Sequence, residues 1–330
     1  MNAGLRAFLA RLIDYAGLFP PASLELEPAI RNYAAYRAGP DAWMLGRFIC
    51  PAARLAELDP FMPLFGAPSA RPTPVHGSGA GSADLPPLQV AALGRRSADA
   101  AACLDGLRED LAQVAAFRGR HAGVAAVDVL ELPLPPGAPS RELLGAVADA
   151  AHEHGLRAFC EAAAPHGAGW ESAVTATLEA IAAHNAGGGP ALGFKLRTGG
   201  VTAEAFPSVG QVAHALLACR ERGVALKCTA GLHHPFRQHR QEVGAKMHGF
   251  VNVFAAGILA HAHPLDRAAA ESILADEDPA SFTFTDDGLA WRGLQAPTAT
   301  VERLRAAALV SFGSCSFDEP REDLRRLGRL

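Results

Sequence analysis

ALGFKLRTGG, residues 191–200, sets a lysine inside an apolar, strand-like run, and VALKCTAG, residues 224–231, repeats the arrangement 32 positions later. Of 30 lysines plus arginines, three are lysine: Lys195, Lys227 and Lys246. Period-two alternation places Lys195 with Arg197, and Lys227 with Thr229, on common strand faces. A chain that uses arginine almost everywhere else keeps an amine near the ends of two consecutive strands. Arginine stays charged, whereas a crowded or desolvated lysine can lose its proton.

Working outward from these two runs, eight strand candidates emerge: 12–19, 44–50, 88–93, 124–132, 157–161, 192–198, 224–229 and 309–317. Helical-period segments separate them, such as RELLGAVADAAHEHG and VGQVAHALLACRERG, and several end in glycine as helix C-termini do. Eight βα units in 330 residues predict one (β/α)8 TIM barrel over residues 1–330 rather than an open doubly wound sheet. No G-x-G-x-x-G or Walker A pattern follows a strand, which argues against nucleotide binding of those kinds.

Two interruptions stand out. Residues 66–87, GAPSARPTPVHGSGAGSADLPP, read as a flexible surface loop. Residues 232–308 form an insertion between strands seven and eight, with an apolar helix, a second helix, a hairpin around FTFTDDGLAWRG and a further helix. This lid-like excursion is compatible with a lid, a homo-oligomer contact or a tolerated insertion.

A net charge of −4 gives no electrostatic case for nucleic acid or an anionic membrane. No apolar run reaches the roughly 18 residues of a membrane span, and the N-terminus has no signal-peptide pattern. The six cysteines show no paired spacing, so the expectation is reduced thiols in a cytoplasmic protein.

Barrel active sites are built at the C-terminal ends of the strands, where both lysines fall. A neutral amine attacks a carbonyl to form an imine. A neighbouring cation depresses an amine's pKa, so Lys195 and Lys227 suggest a nucleophile and its activator. The competing reading is that both amines pair with buried carboxylates. Asp128, in AVDVLELPL, is a carboxylate inside an apolar strand, where burial demands a partner. The lysines would supply one, making Asp128 the first candidate for acid–base work. Glu131, on the opposite strand face, and Glu161 are second choices. Asp14, in LIDYAGLF, lines the pocket floor or caps a loop.

The pair GFKLRTGG and GVALKCTAG resembles strands six and seven of deoxyribose-phosphate aldolase, a class I aldolase family of (β/α)8 fold. LIDYAGLF, FICPAARLAEL, AVDVLELPL, RAFCEAA and SFGSCSFDEPREDL are similar to other segments of that family in chain order. The resemblance implies a lyase with no cofactor. Lys195 would form the Schiff base, Lys227 would lower its pKa, and Asp128 would relay protons through a water. The substrate would be a small carbonyl compound, phosphorylated or not. Arg197, Thr198, Gly199, Gly200, Thr229, Gly231, Gly313, Ser314 and Ser316 would line its site and offer donors to a phosphate. The sequence departs from the pattern after strand seven, where one glycine is lost and His233 stands in place of an arginine.

His233, His234, His239 and His248 crowd the segment after strand seven, in GLHHPFRQHRQEVGAKMH. His233 or His234 is expected to touch substrate. Two alternatives stay open: a metal-dependent hydrolase or lyase built on these four histidines, and a non-catalytic barrel scaffold.

Overall fold

The structure, a computed structural model of the chain, describes residues 1–66, 87–163 and 166–330. Most of the expected flexible loop at 66–87 therefore lies outside the described residues. In chain order the strands are β1 (Ile13–Tyr15), β2 (Leu45–Pro51), β3 (Leu88–Leu93), β4 (Ala125–Pro133), β5 (Arg157–Glu161), β6 (Gly193–Arg197) and β7 (Leu226–Thr229). Then come β8 (Gln238–Arg240), β9 (Ala245–Met247), β10 (Phe282–Phe284), β11 (Gly288–Trp291), β12 (Leu294–Pro297) and β13 (Leu309–Ser314). The strands β1 to β7 and β13 close a parallel barrel in the order β1-β13-β7-β6-β5-β4-β3-β2.

The helices are α1 (Ala3–Leu9), α2 (Leu26–Ala38), α3 (Ala100–Arg120), α4 (Arg141–Glu153), α5 (Trp170–Ala186), α6 (Val209–Arg222), α7 (Phe250–Ala262), α8 (Arg267–Ala275), α9 (Thr298–Ala307) and α10 (Asp318–Arg326). Local chemistry sets their starts. Asp99 and Ser140 cap α3 and α4, and Ser208 with Gln211 forms a full capping box for α6. Where α6 ends, Gly223 takes the left-handed conformation that the next turn requires. The chain after β2 runs as tight 3-10 turns over Ala52–Leu64, since Pro60 and Pro63 cannot donate to an α-helical ladder.

Alternation sorts each barrel strand into two faces. Outward residues such as Phe48, Val90, Leu130, Leu132, Phe194, Leu196 and Leu226 join the large core beneath the helices. The smaller inner cluster holds Ala16, Ile49, Ala91, Val129 and Phe159. Two small alanines in that set leave interior room for polar side chains. Two strands are shorter than their apolar runs. The chain turns after β1, where Phe19 N–H bonds to the Ala16 carbonyl at 2.9 Å. Beyond β13, the Ser316 hydroxyl takes the Glu319 N–H at 3.1 Å and starts α10 instead of extending the sheet.

The insertion between β7 and β13 is largely load shared with the barrel. Residues 250–260 of α7 are all buried, and Phe250 stacks on Phe312 of β13 at 5.2 Å. The expected hairpin is present as β10–β11, extended by β12 into a three-stranded sheet. That sheet meets the chain start, where Gly4 N–H bonds to the Thr285 carbonyl at 2.9 Å. Within the excursion it is the β8–β9 hairpin that approaches the barrel mouth, beside His233 and His234. Among the described residues, no helix is long and apolar enough to cross a membrane.

Candidate active site

Lys195 and Lys227 are register partners on β6 and β7, so both amines enter the barrel from adjacent strands. Neither meets the other directly first. Glu131 of β4 reaches between them, with Oε2 2.8 Å from the Lys195 Nζ and Oε1 3.2 Å from the Lys227 Nζ. Glu161 of β5 contacts Lys195 from the other side at 2.9 Å. Lys227 donates to Asp14 of β1, and to the Ser311 hydroxyl at 3.0 Å, while Ser311 donates to Asp14 at 2.7 Å. The result is a line of alternating charge across the interior: Asp14, Lys227, Glu131, Lys195, Glu161, Arg197. Its first five members are all at most 5% exposed.

This arrangement reverses the expected electrostatics. Burial disfavours the Lys195 charge, but Glu131 and Glu161 outweigh it and hold the amine's pKa above the ordinary lysine value. The nearest charges to this amine are carboxylates, so the expected depression by Lys227 does not occur. Burial likewise opposes charge on Asp14 and Glu161. Lys227 and Arg47 win at Asp14, and Lys195 and Arg197 at Glu161, so both carboxyls titrate below their ordinary values. Glu131 has a further property. Both amines lie within ion-pair distance, yet among the described residues neither of its oxygens accepts a well-directed hydrogen bond.

A cavity of about 260 Å³ fills the barrel mouth and is lined by Glu131, Lys195, Arg197, Thr229, His233 and Cys315, with Gly200 and Gly313 among the backbone walls. A second cavity of about 300 Å³ runs between β5, β6 and α5, and Lys195, Glu161 and Arg197 line it. Lys227 lies deeper than Lys195, clamped by Asp14 and Ser311. The amine facing the mouth is Lys195.

Asp128 requires a correction. Its carboxylate forks onto Arg47 at 2.6 Å for both bonds, near the start of β4 and away from both lysines. A register irregularity between β3 and β4 places Val127 in the outer core and Val129 in the inner one, with Asp128 at the irregularity. The interior carboxylate of β4 is Glu131. A sequence signal for this exists: Leu130, Leu132 and Leu134 form the bulkier apolar set, which faces the helices, and Glu131 alternates with them.

The expected phosphate cradle is only partly assembled. Arg197, Gly200, Thr229, His233 and Gly313 reach the mouth. Thr198 instead donates to the carbonyls of Thr229 and Ala230, at 3.1 and 2.6 Å. Gly199 and Gly231 pack against one another, a side chain on either meeting the other's Cα within 2.8 Å. Ser314 is buried, its carbonyl accepting from Ala16 N–H at 2.7 Å, and the Ser316 hydroxyl is engaged by the Glu319 N–H. Sequence reasoning passed over Cys315 and Ser311, since neither residue type at a strand end signals an inward direction by itself.

The four histidines do not assemble. His233 contacts Glu319 at 3.2 Å and the Cys315 thiol at 3.7 Å. Burial works against its charge, but these two neighbours raise its pKa to about 9. His234 pairs with Asp323 at 2.6 Å, and His239 sits on the exposed face of β8. His248 is buried against the Pro207 carbonyl at 2.7 Å, and burial lowers its pKa to about 4. Among the described residues no three histidine, cysteine or acidic groups converge as a metal-binding set.

Strand order and register thus define the class: a (β/α)8 barrel with an ionised cluster in its interior. No family model matches the chain, and no curated protein matches it. Among solved structures it is similar to a tetrameric deoxyribose phosphate aldolase from Aeropyrum pernix, at 9% identity and a TM-score of 0.48, over 98% of this chain and 96% of that one.

Proposed function

We propose that Lys195 forms an imine with a small carbonyl compound and that the barrel makes or breaks the adjacent carbon–carbon bond, as a class I aldolase or related lyase. One observation carries this reading: a buried lysine amine lines the cavity at the barrel mouth with two carboxylates within 2.9 Å to exchange protons with it. The resting ammonium passes a proton to Glu131. The neutral amine attacks the carbonyl carbon, and Glu131 returns the proton to the hydroxyl that leaves as water. The iminium then accepts the electron pair of the breaking carbon–carbon bond, while Glu131 takes the proton of the substrate's hydroxyl. Lys227, fixed by Asp14 and Ser311, holds Glu131 in place between the amines. The cationic His233 and Arg197 at the mouth suit a substrate with a phosphate or carboxylate end. A volume of about 260 Å³ restricts it to a small molecule.

A second reading, a barrel whose buried charges serve cohesion alone, is favoured by the raised pKa of Lys195 and by the pairing of every charge in the line. Incubation with a panel of small aldehydes and ketones, reduction with borohydride and peptide mass mapping separates the two. The imine reading expects an adduct on Lys195 that Lys195→Arg abolishes while the fold persists. No adduct across the panel leaves the cohesive reading.

A further inference from the structure

At the end of the barrel opposite the mouth lies a cavity of about 590 Å³, more than twice the mouth cavity's 260 Å³. Five arginines line it: Arg6, Arg11, Arg47, Arg157 and Arg305. They come from α1 and the turn after it, β2, β5 and α9, so the fold gathers them from four separate parts of the chain. The chain as a whole carries a net charge of −4, which makes this local excess the more unusual.

These cations are poorly neutralised. Arg47 is paired with Asp128. Among the described residues, no carboxylate lies within ion-pair distance of Arg6, Arg11, Arg157 or Arg305. Arg6 rests over the Trp43 ring at 4.8 Å and Arg157 over Phe159 at 5.0 Å. Arg157 also donates to the carbonyls of Ala306 and Ala307, at 3.3 and 3.0 Å. Arg305 is 6% exposed and donates to the carbonyls of Phe8, Leu309, Val310 and Ala10, so backbone oxygens take up its donors and it adds positive field to the cavity rather than a free fork. Glu302 is the one acid among the lining residues. Desolvation lowers the pKa of Arg305 to about 9 and, with the charge of Arg47, lowers that of Arg157 as well. Mutually repelling cations held around an open volume are relieved by an anion, and the planar guanidinium fork matches phosphate and carboxylate oxygens. The remaining wall is Ala3, Ala7, Ala10, Ala306 and Val310, which suits an organic body better than a bare ion.

We propose that this cavity is a binding site for a small organic polyanion carrying two or more phosphate or carboxylate groups. Its volume falls within the ~300–1,000 Å³ usual for small-molecule sites. The site is separate from the lysine cluster and does not depend on the reaction proposed for it.

The test is isothermal titration of the full chain at constant ionic strength with pyrophosphate, with citrate and with magnesium-free ATP. Saturable binding of one equivalent is expected, and the preferred probe distinguishes phosphate from carboxylate and reports the contribution of the organic body. Arg11→Gln and Arg157→Gln should each weaken it about tenfold, as loss of one charged hydrogen bond does. Borohydride trapping at Lys195 should be unchanged in both variants. If the Arg157 variant does not fold, Arg11→Gln, at an exposed position, decides alone. No saturable binding of any probe, or binding that these substitutions leave within twofold, overturns the proposal.

Discussion

Replacing Glu131 with glutamine changes one charge and almost no volume, at the carboxylate that separates the two amines. The carboxylate is 2.8 Å from the Lys195 Nζ, whereas Glu161 remains on the other side at 2.9 Å. An opposite charge at such range moves a pKa by about 1–3 units, equivalent to roughly 1.4–4 kcal/mol at 1.36 kcal/mol per unit. Glu131→Gln should therefore lower the Lys195 pKa, with Glu161 limiting the fall. The assay is the rate of borohydride trapping with a small aldehyde as a function of pH, since only the neutral amine adds to a carbonyl. The half-maximal pH should move down, while the plateau rate of trapping falls because Glu131 also protonates the hydroxyl that leaves as water. Turnover of any carbon–carbon lyase substrate should fall at the same time, by about 10²–10⁴-fold if Glu131 is the acid–base group. The downward move of the midpoint separates a charge effect from general damage, which would lower the rates without moving it. A trapping midpoint that stays in place or moves up refutes the electrostatic assignment of Glu131.

Asp128→Asn should leave trapping at Lys195 unchanged and reduce stability by no more than about 1 kcal/mol, because the carboxylate is partly exposed and pairs with Arg47; loss of trapping would restore Asp128 to the site. Gly46→Ala should lower the melting temperature by several degrees, since a Cβ there would stand 2.0 Å from the Asp14 Oδ1, and overpacking of this kind costs about 1–3 kcal/mol. An unchanged melting temperature would show that Asp14 is not held where described. Asp14 and Glu161 have lowered pKa values, so their contribution is present above their unfolded values of 3.8 and 4.5 and is lost as pH falls through the folded ones. Lys195 has a raised pKa, so its contribution is complete below 10.5 and is lost as pH rises through the higher folded value. Thermal melts should therefore be flat near neutrality and fall at both extremes, and a constant melting temperature down to about pH 3 would contradict this.

The sequence by itself determined the barrel. Apolar runs short enough for strands, separated by capped helical segments, admit few other closed arrangements, and the βα alternation is a local property of the chain. It also determined that Lys195 and Lys227 point inward together, because a parallel register puts equivalent positions of adjacent strands on one face. What surrounds those amines was decided by tertiary structure. Asp128 and Glu131 are three positions apart in one strand, and a local irregularity in its pairing settles which of them enters the interior. The sign of the shift at Lys195 followed from that choice, since a carboxylate between two amines acts opposite to a second amine. The arginine-lined cavity was likewise invisible in the sequence. Arg6, Arg11, Arg47, Arg157 and Arg305 are spread over 300 positions, and only closure of the barrel between β1 and β13 brings them to one face. Local periodicity encodes which side of an element faces inward, while the company a side chain keeps depends on contacts between segments far apart in the chain.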